Sequence, residues 1–261
     1  MNMTKQIRDV AIAAAKKAAR ALREEYFRFD RSKAQLKSRF ELLTRADLLS
    51  EEIILKEIRQ NFPHHHILSE ETGDNKAQSD YFWIVDPLDG TTNFFMHDPL
   101  WSISIAVAYR NELILGIVYA PILDEFYLAE KDEGATLNSQ SIEVSSITKD
   151  KVMNLFCHGH NDPAIKKAVK YYTYQKIHGF DSRQLGSAAL ELAYTAAGRV
   201  ESISIPGADL YDIAAGVLLV KEAGGKVTDL KNKEWTIESW DMVASNGKVH
   251  DEILNVFRKL R

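Results

Sequence analysis

Trp83-Ile84-Val85-Asp86-Pro87-Leu88-Asp89-Gly90-Thr91-Thr92-Asn93-Phe94 packs two carboxylates, a turn and two hydroxyls into one short segment. Trp83, Ile84 and Val85 form an apolar run with the character of a buried strand. Pro87, which has no N–H for a ladder, is expected to stop that strand directly after Asp86. Asp86 would then stand at a strand's C-terminal end. Asp89-Gly90 is a turn signal, Gly90 permitting a positive φ or the close approach of a ligand, and Thr91 and Thr92 can cap a following helix. Amides at such a turn attract anions. Asp86 and Asp89, three residues apart across a proline-led turn, can converge on a hard cation such as Mg²⁺, which prefers carboxylate oxygens and shares substrate phosphates. The segment reads as a metal and phosphate site.

Upstream, residues 4 to 29 are dominated by helix formers, with Ile7, Val10, Ala14, Ala18, Ala21, Leu22 and Tyr26 at near-helical spacing. The spacing predicts a long amphipathic helix. Lys33 to Arg45 has mixed charge and no clear period, which suits a mobile loop or hairpin, and Ala46 to Asn61 is helical again, with Asp47 near its start. Downstream, Ser102 to Val107, Leu113 to Ala120 and Glu125 to Ala129 are expected strands of an antiparallel sheet, with Gly134 at a later turn. Val152 to Cys157 reads as strand, Asp162 to Tyr174 as helix, and Ser187 to Ala197 as a helix ended by Gly198. The expected order then continues as strand at Val200 to Ile205, helix at Asp212 to Ala223, strands at Lys226 to Asp229 and Met242 to Ala244, and helix at Val249 to Leu260. No repeat or linker divides the chain. Two closely joined lobes are expected, 1–148 and 149–261, with the boundary near 145 to 152.

At 261 residues, 45% of them hydrophobic and 10% aromatic, the chain can bury a substantial core. A net charge of −4 and a pI near 6.1 supply no broad cationic field for nucleic acid. Cys157 is the only cysteine, which excludes an intramolecular disulfide and a multi-cysteine zinc site and suits an inert thiol. The N-terminal run is interrupted by Lys16, Lys17, Arg20 and Arg23, so it is neither signal peptide nor membrane span, and a cytoplasmic location is expected.

The Trp83–Phe94 block resembles the signature of the inositol monophosphatase family of Mg²⁺-dependent, lithium-sensitive phosphatases. Two further motifs follow the family's order. Ser69-Glu70-Glu71 is similar to its Gly-Glu-Glu, and Leu210-Tyr211-Asp212-Ile213-Ala214-Ala215-Gly216 is similar to its Trp-Asp-Val-Ala-Ala-Gly. The resemblance implies an α+β fold, a layered α-β-α-β-α sandwich, and a homodimer. It implies two or three Mg²⁺ ions per site: Glu70, Asp86 and the Leu88 carbonyl around one, and Asp86, Asp89 and Asp212 around another, with Asp86 bridging. Thr91 would accept a hydrogen bond from the attacking water and pass its own proton toward Asp47. Amides around Gly90 and Thr91 would cradle the phosphate. Arg183 and Gly186-Ser187-Ala188 match the substrate-lining arginine and Gly-Thr-Ala.

Other chemistry-bearing residues have plainer readings. The histidines of His64-His65-His66 do not share one face, so a solvated loop is expected rather than a metal tract. Trp240-Asp241 lacks the Ala-Ala-Gly that follows Asp212, so Asp241 is expected at a turn or cap. One departure bears on substrate. Animal members of the family place an inositol-gripping glutamate seven residues before the late aspartate, and here that position is Ile205. The resemblance therefore implies hydrolysis of a polyol or sugar phosphate ester, inositol monophosphate or fructose 1,6-bisphosphate, with weak selectivity. The alternatives are a phosphoadenosine phosphate phosphatase and a regulatory binding protein.

Overall fold

The computed structural model describes residues 3–30, 35–36, 42–43, 45–148 and 151–260. The chain runs α1 (Met3–Arg28), β1 (Gln35–Leu36), β2 (Leu42–Leu43), α2 (Arg45–Asn61), β3 (His66–Ser69), β4 (Gly73–Asp74), β5 (Tyr81–Asp89) and α3 (Thr91–Met96). It continues with β6 (Ser102–Tyr109), β7 (Glu112–Ala120), β8 (Glu125–Glu130), β9 (Gly134–Leu137), β10 (Gln140–Ile142), β11 (Met153–Phe156), α4 (Asp162–Ile177), β12 (Asp181–Arg183) and α5 (Ala188–Ala196). The last elements are β13 (Ser202–Ile205), α6 (Leu210–Glu222), β14 (Lys226–Thr228), β15 (Met242–Ser245) and α7 (His250–Lys259). Much of the segment 33–45 lies outside the described residues, as do residues 149 and 150 at the expected boundary. The described pairs β1 and β2 are antiparallel.

Alternation along the strands builds the layers, because successive side chains leave a strand on opposite faces. Trp83, Val85, Ile103, Ile105, Val107, Leu115 and Ile117 pack with the apolar stripes of α1 and α2. Their neighbours Ile84, Ala106, Ala108 and Val118 face the other way, onto α5 and α6. The same apolar cluster includes Leu155, Ile203, Ile205, Met242 and Ala244 of a second sheet, whose outer face carries Phe156 and Val243 against α4 and α7. The result is a layered mixed α and β fold: helix pair, sheet, helix pair, sheet, helix pair. The first sheet has eight strands in the order β10-β9-β8-β7-β6-β5-β3-β4, and the second has five in the order β12-β11-β13-β15-β14. The first is antiparallel except for β3 and β5, and the second is mixed, parallel across β12-β11-β13 and antiparallel across β13-β15-β14.

Glycine sets the depth of the central helices. A Cβ on Gly116 would lie 2.7 Å from the Ala215 carbonyl oxygen, so only glycine lets α6 lie this close on β7. Gly216 does the same against Leu192 of α5. Gly134, expected at a turn, closes the turn 131–133 between β8 and β9 with a positive φ of 83 and pairs with Glu130 as the first residue of β9. No helix among the described residues is long and apolar enough to cross a membrane.

Candidate metal and phosphate site

Pro87 does not end its strand. β5 runs through to Asp89, and its pairing with β6 passes from Asp86↔Ser104 to Asp89↔Ser102, three residues against two. The missing proline N–H removes one ladder bond, and the strand absorbs the loss as a bulge. This one-residue insertion has a chemical consequence. Positions i and i+3 of a regular strand face opposite ways, whereas one extra residue returns Asp89 to the side of Asp86. Oxygens of Asp86, Asp89 and Asp212 all lie within 4.8 Å of one another.

Each carboxylate is held from a different element. Leu88 N donates to Asp86 Oδ1 at 2.9 Å, which fixes the turn after Asp86. Asp89 is buried and accepts from Ser187 Oγ at 2.5 Å, Ser102 Oγ at 3.2 Å, Ala188 N at 3.1 Å and Ala189 N at 2.9 Å. It thereby ties β5 to the first turn of α5. Asp212 stands in the first turn of α6, where Ser104 Oγ of β6 donates to the Tyr211 carbonyl at 3.1 Å. Glu70 follows β3, its N–H donating to the Val85 carbonyl at 3.1 Å. The turn behind it is braced by buried Glu51 of α2, whose Oε1 accepts from Glu71 N, Thr72 N and Thr72 Oγ1 at 3.0–3.2 Å.

The helix α3 is not capped by Thr91 or Thr92. Gly90 is its N-cap with φ 95, no side chain caps it, and a Cβ on Gly90 would crowd the Gly186 and Leu100 carbonyls. Thr91 is thus free for another partner. Its hydroxyl donates to Asp47 Oδ1 at 2.8 Å and lies 3.2 Å from the Leu88 carbonyl, while Ser50 Oγ of α2 donates to the Pro87 carbonyl at 2.7 Å. Asp47 is fully buried.

Burial pushes the Asp86 carboxyl well above the ordinary carboxylate range, and repulsion from Glu70, Asp89 and Asp212 pushes it further. Asp212 is raised in the same way, by burial first and then by Asp89 and Glu70. Burial also raises Asp89, against the pull of its Ser187, Ala189 and Ala188 hydrogen bonds. A divalent cation placed among these acids would offset the repulsion that resists their ionising together. This donor set is all carboxylate, which suits a hard ion such as Mg²⁺ rather than zinc.

These residues open into a cavity of about 370 Å³, lined by Glu70, Asp86, Leu88, Asp89, Gly90, Thr91, Gly186, Ala188 and Asp212, and also by Cys157, His158, His160 and Gln184. A larger hollow of about 690 Å³ lies between β12 and α7, contains none of these carboxylates, and is lined instead by residues such as His178, Asp181 and Glu252.

Arg183 does not line the site cavity: its guanidinium is engaged by Asp181 Oδ1 at 2.6 Å and by the Ser182 carbonyl at 3.3 Å. Ser187 acts through Asp89 rather than in the cavity wall. Ile205 is buried in the core between the sheets. Burial pushes the Cys157 thiol up, which keeps it neutral although it borders the cavity. His65 stacks between Phe62 and Tyr81 and accepts from Trp83 Nε1 at 3.0 Å, and His66 meets Asp74 at 2.7 Å, so these two are structural, while His64 is exposed. Asp241 accepts from Gly207 N at 3.1 Å and pairs with Lys167.

Among the residues to which the sequence reading gave no role, Asn93 and Glu191 hold the 185–188 loop. Asn93 Nδ2 donates to the Leu100 and Leu185 carbonyls at 2.6 and 2.7 Å, clasping the 185–188 loop to α3. Glu191 Oε1 accepts from Leu185 N at 2.5 Å and Gly186 N at 3.0 Å, holding the same loop from below. A lone acid in the first turn of an otherwise apolar helix was the available signal for Glu191.

A family model described as the inositol monophosphatase family matches residues 3–261, nearly the whole chain. The chain belongs to the inositol monophosphatase family. Among curated members, a Nus factor SuhB of Pasteurella multocida is 37% identical over 253 residues, 95% of this chain and 94% of that protein. An inositol-1-monophosphatase of Mesorhizobium japonicum is 34% identical, with 96% of each chain covered. Among solved structures, a Thermotoga maritima IMPase superposes with a TM-score of 0.88 at 35% identity, covering 98% of each chain. The extragenic suppressor protein suhB of Bartonella henselae superposes at 0.89 with 31% identity, covering 97% of this chain and 99% of that one. The inositol monophosphatase fold is thus common to relatives that carry two kinds of name.

Proposed function

We propose that this member of the family hydrolyses phosphate monoesters of sugars or polyols, using Mg²⁺ held by Glu70, Asp86, the Leu88 carbonyl, Asp89 and Asp212. The observation that carries the reading is the convergence of three carboxylates within 4.8 Å, beside a Thr91–Asp47 hydrogen bond of 2.8 Å. Two or three Mg²⁺ ions, when bound, would supply positive charge to the phosphoryl oxygens and lower the pKa of water. The protein's own groups do the rest.

Thr91 already donates its proton to Asp47, so its oxygen keeps acceptor capacity for a water hydrogen bond. As that water loses a proton toward Thr91, the Thr91 proton moves onto Asp47, a buried carboxylate suited to take it. Gly90, Thr91 and Thr92 stand at the start of α3, where a helix leaves amides without internal partners, and these amides would hold the phosphate oxygens. Gly186 and Ala188 would bound the leaving group. Arg183 takes no part in this reading.

Phosphate release is to be measured with inositol 1-phosphate, fructose 1,6-bisphosphate, glycerol 2-phosphate and phosphoadenosine phosphate. Mg²⁺-dependent release from one of the first two is expected, with kcat/KM for these two within about a hundredfold, because no glutamate stands at position 205. Dominant hydrolysis of phosphoadenosine phosphate would replace the sugar reading with the nucleotide one. A second reading, a regulatory binding role, is favoured by the name Nus factor SuhB on relatives matched along nearly the full chain. Folded protein that binds Mg²⁺ but releases no phosphate from any of the four would favour it.

A further inference from the structure

The segment Leu185-Gly186-Ser187-Ala188-Ala189 reaches the site between three anchors. Asp89, in the metal cluster, takes Ser187 Oγ and the amides of Ala188 and Ala189. Asn93 Nδ2 of α3 donates to the Leu185 carbonyl at 2.7 Å. The third anchor is Glu191, whose Oε1 accepts from Leu185 N at 2.5 Å and from Gly186 N at 3.0 Å.

This grip controls the seat of Gly186, which has φ 86 and lines the cavity. A Cβ on Gly90 would lie 3.1 Å from the Gly186 carbonyl oxygen and 3.2 Å from Ser187 Cβ, so the loop is pressed onto the N-cap of α3. A Cβ on Gly186 would in turn lie 3.0 Å from the Asn93 amide. The seam has no slack. A shift of Gly186 is carried into Gly90 on one side and through Ser187 to Asp89 on the other.

Glu191 is a costly choice of anchor. It is fully buried on α5, beside the apolar first-turn residues Ala188, Ala189 and Leu190, and its Oε2 is buried with no hydrogen-bond partner among the described residues. A buried polar atom left unpaired costs free energy, so the group calls for a function. Starting α5 does not require it, because the backbone closes the first turn, Glu191 N donating to the Ser187 carbonyl at 2.9 Å. Burial pushes the Glu191 carboxyl up to about 8, so near pH 7 it is mostly neutral and glutamine copies both its shape and its charge.

We infer that Glu191 is a positioning residue of the reaction: by holding the Leu185 and Gly186 amides it seats the loop against Gly90 and Asp89, and so sets the affinity of the Mg²⁺-loaded site for a phosphate group. The inference rests on the metal and phosphatase reading above. Contacts placed in this way serve the ground state and the transition state alike, so loosening the loop raises KM, whereas the Thr91–Asp47 pair acts on kcat.

The test compares the wild type with three substitutions at this position. Glu191→Leu removes the acceptor at similar bulk. Glu191→Ala removes it and leaves room for water to meet the two amides, which keeps the test open if the leucine variant does not fold. Glu191→Gln keeps the acceptor. Ile253→Ala, in the α7 layer on the outer face of the second sheet, lowers stability without touching the loop and serves as control. Well below the thermal transition, each protein is assayed for hydrolysis of whichever of inositol 1-phosphate and fructose 1,6-bisphosphate the wild type cleaves faster. Calorimetry measures binding of inorganic phosphate in the presence of Mg²⁺.

The leucine and alanine variants are expected to raise KM and the phosphate dissociation constant about tenfold or more, with kcat within about threefold of wild type. Glu191→Gln should keep both within about twofold of wild type. Ile253→Ala should keep the wild-type KM, because loss of folded enzyme lowers only the apparent kcat. An unchanged KM and phosphate affinity in the leucine and alanine variants, or an equal rise in Glu191→Gln, would overturn the inference. Absence of release from every ester would be a failure of the phosphatase reading, and phosphate binding would still decide the role of Glu191.

Discussion

Asp89→Asn tests the carboxylate that serves both the metal site and the fold, since Asp89 also ties β5 to α5. The side chain keeps its volume but loses a charge and one acceptor. In the wild type Oδ1 takes Ala188 N, and Oδ2 takes Ala189 N, Ser187 Oγ and Ser102 Oγ. Either orientation of the new amide points an NH₂ at one of the two backbone N–H groups, stranding a buried donor at a cost of about 1–3 kcal/mol. The serine hydroxyls can rotate and accept instead. Against this stands the relief of crowding among Asp86, Asp89 and Asp212, so metal-free stability is expected to move by less than about 3 kcal/mol. The response to metal is where the variants should part. At Mg²⁺ a hundred times its dissociation constant the wild type gains about 2.7 kcal/mol, an upward Tm shift of about 5–10 °C for a chain of this size. Asp89→Asn should show less than about a third of that shift, and kcat/KM should fall at least about a hundredfold. Thermal unfolding with and without Mg²⁺, alongside phosphate release, measures both. A folded Asp89→Asn with the full Mg²⁺ shift and near-wild-type turnover would refute the assignment.

Thr91→Ala and Asp47→Asn should each lower kcat by about a hundredfold with little change in KM, and the double variant should cost far less than the product, because the pair acts as a unit. Fully multiplicative losses in steady-state kinetics would count against the relay. His250, whose nitrogens meet Thr228 Oγ1 and Ser245 Oγ at 2.8 Å, is lowered by burial to about 4. Unfolded histidine takes up its proton near pH 6.5, so stability should decline as pH falls from about 6.5 to about 4, by up to about 2 kcal/mol. Urea unfolding at pH 7.5 and 5 checks this, and His250→Gln should flatten the slope. Glu191 is raised by burial to about 8, so the folded chain holds a proton there that the unfolded chain releases near pH 4.5. Its contribution therefore falls as pH rises through that window, and Glu191→Gln, which still accepts from Leu185 and Gly186, should remove the decline. Glu191→Leu strands both amides and should cost about 2–6 kcal/mol in the same unfolding assay.

Long periodic segments were readable because periodicity reports burial directly. The expected helices at 4–29 and 46–61 correspond to α1 and α2, and the expected strand at 113–120 corresponds to β7. Short strands such as β3, β4, β10 and β12 carry too few residues to display a period, and they passed unread. Proline at 87 was legible as a missing donor, yet whether a strand stops or bulges depends on the partner strand, which no local pattern contains. That choice is what brings Asp86 and Asp89 to one side. Thr91 looked like a cap by residue type, but Gly90 takes the cap and frees the hydroxyl for Asp47, forty-four positions earlier. Likewise counting back from Asp212 located position 205 but not its environment: Ile205 faces the core, and the cavity wall comes from the 157–160 loop, some forty-five residues upstream. Contacts between distant segments are set by the layering of the two sheets, and a one-dimensional reading reaches them only where a motif has already tied the segments together.

The most direct test of the account is the rate of phosphate release from fructose 1,6-bisphosphate and inositol 1-phosphate across a Mg²⁺ titration, for wild type and Asp212→Asn. The account expects no release in chelator, saturable recovery as Mg²⁺ is restored, and a loss of at least about a hundredfold in Asp212→Asn at saturating metal. Release that persists undiminished after chelation, or that Asp212→Asn leaves intact, would contradict it.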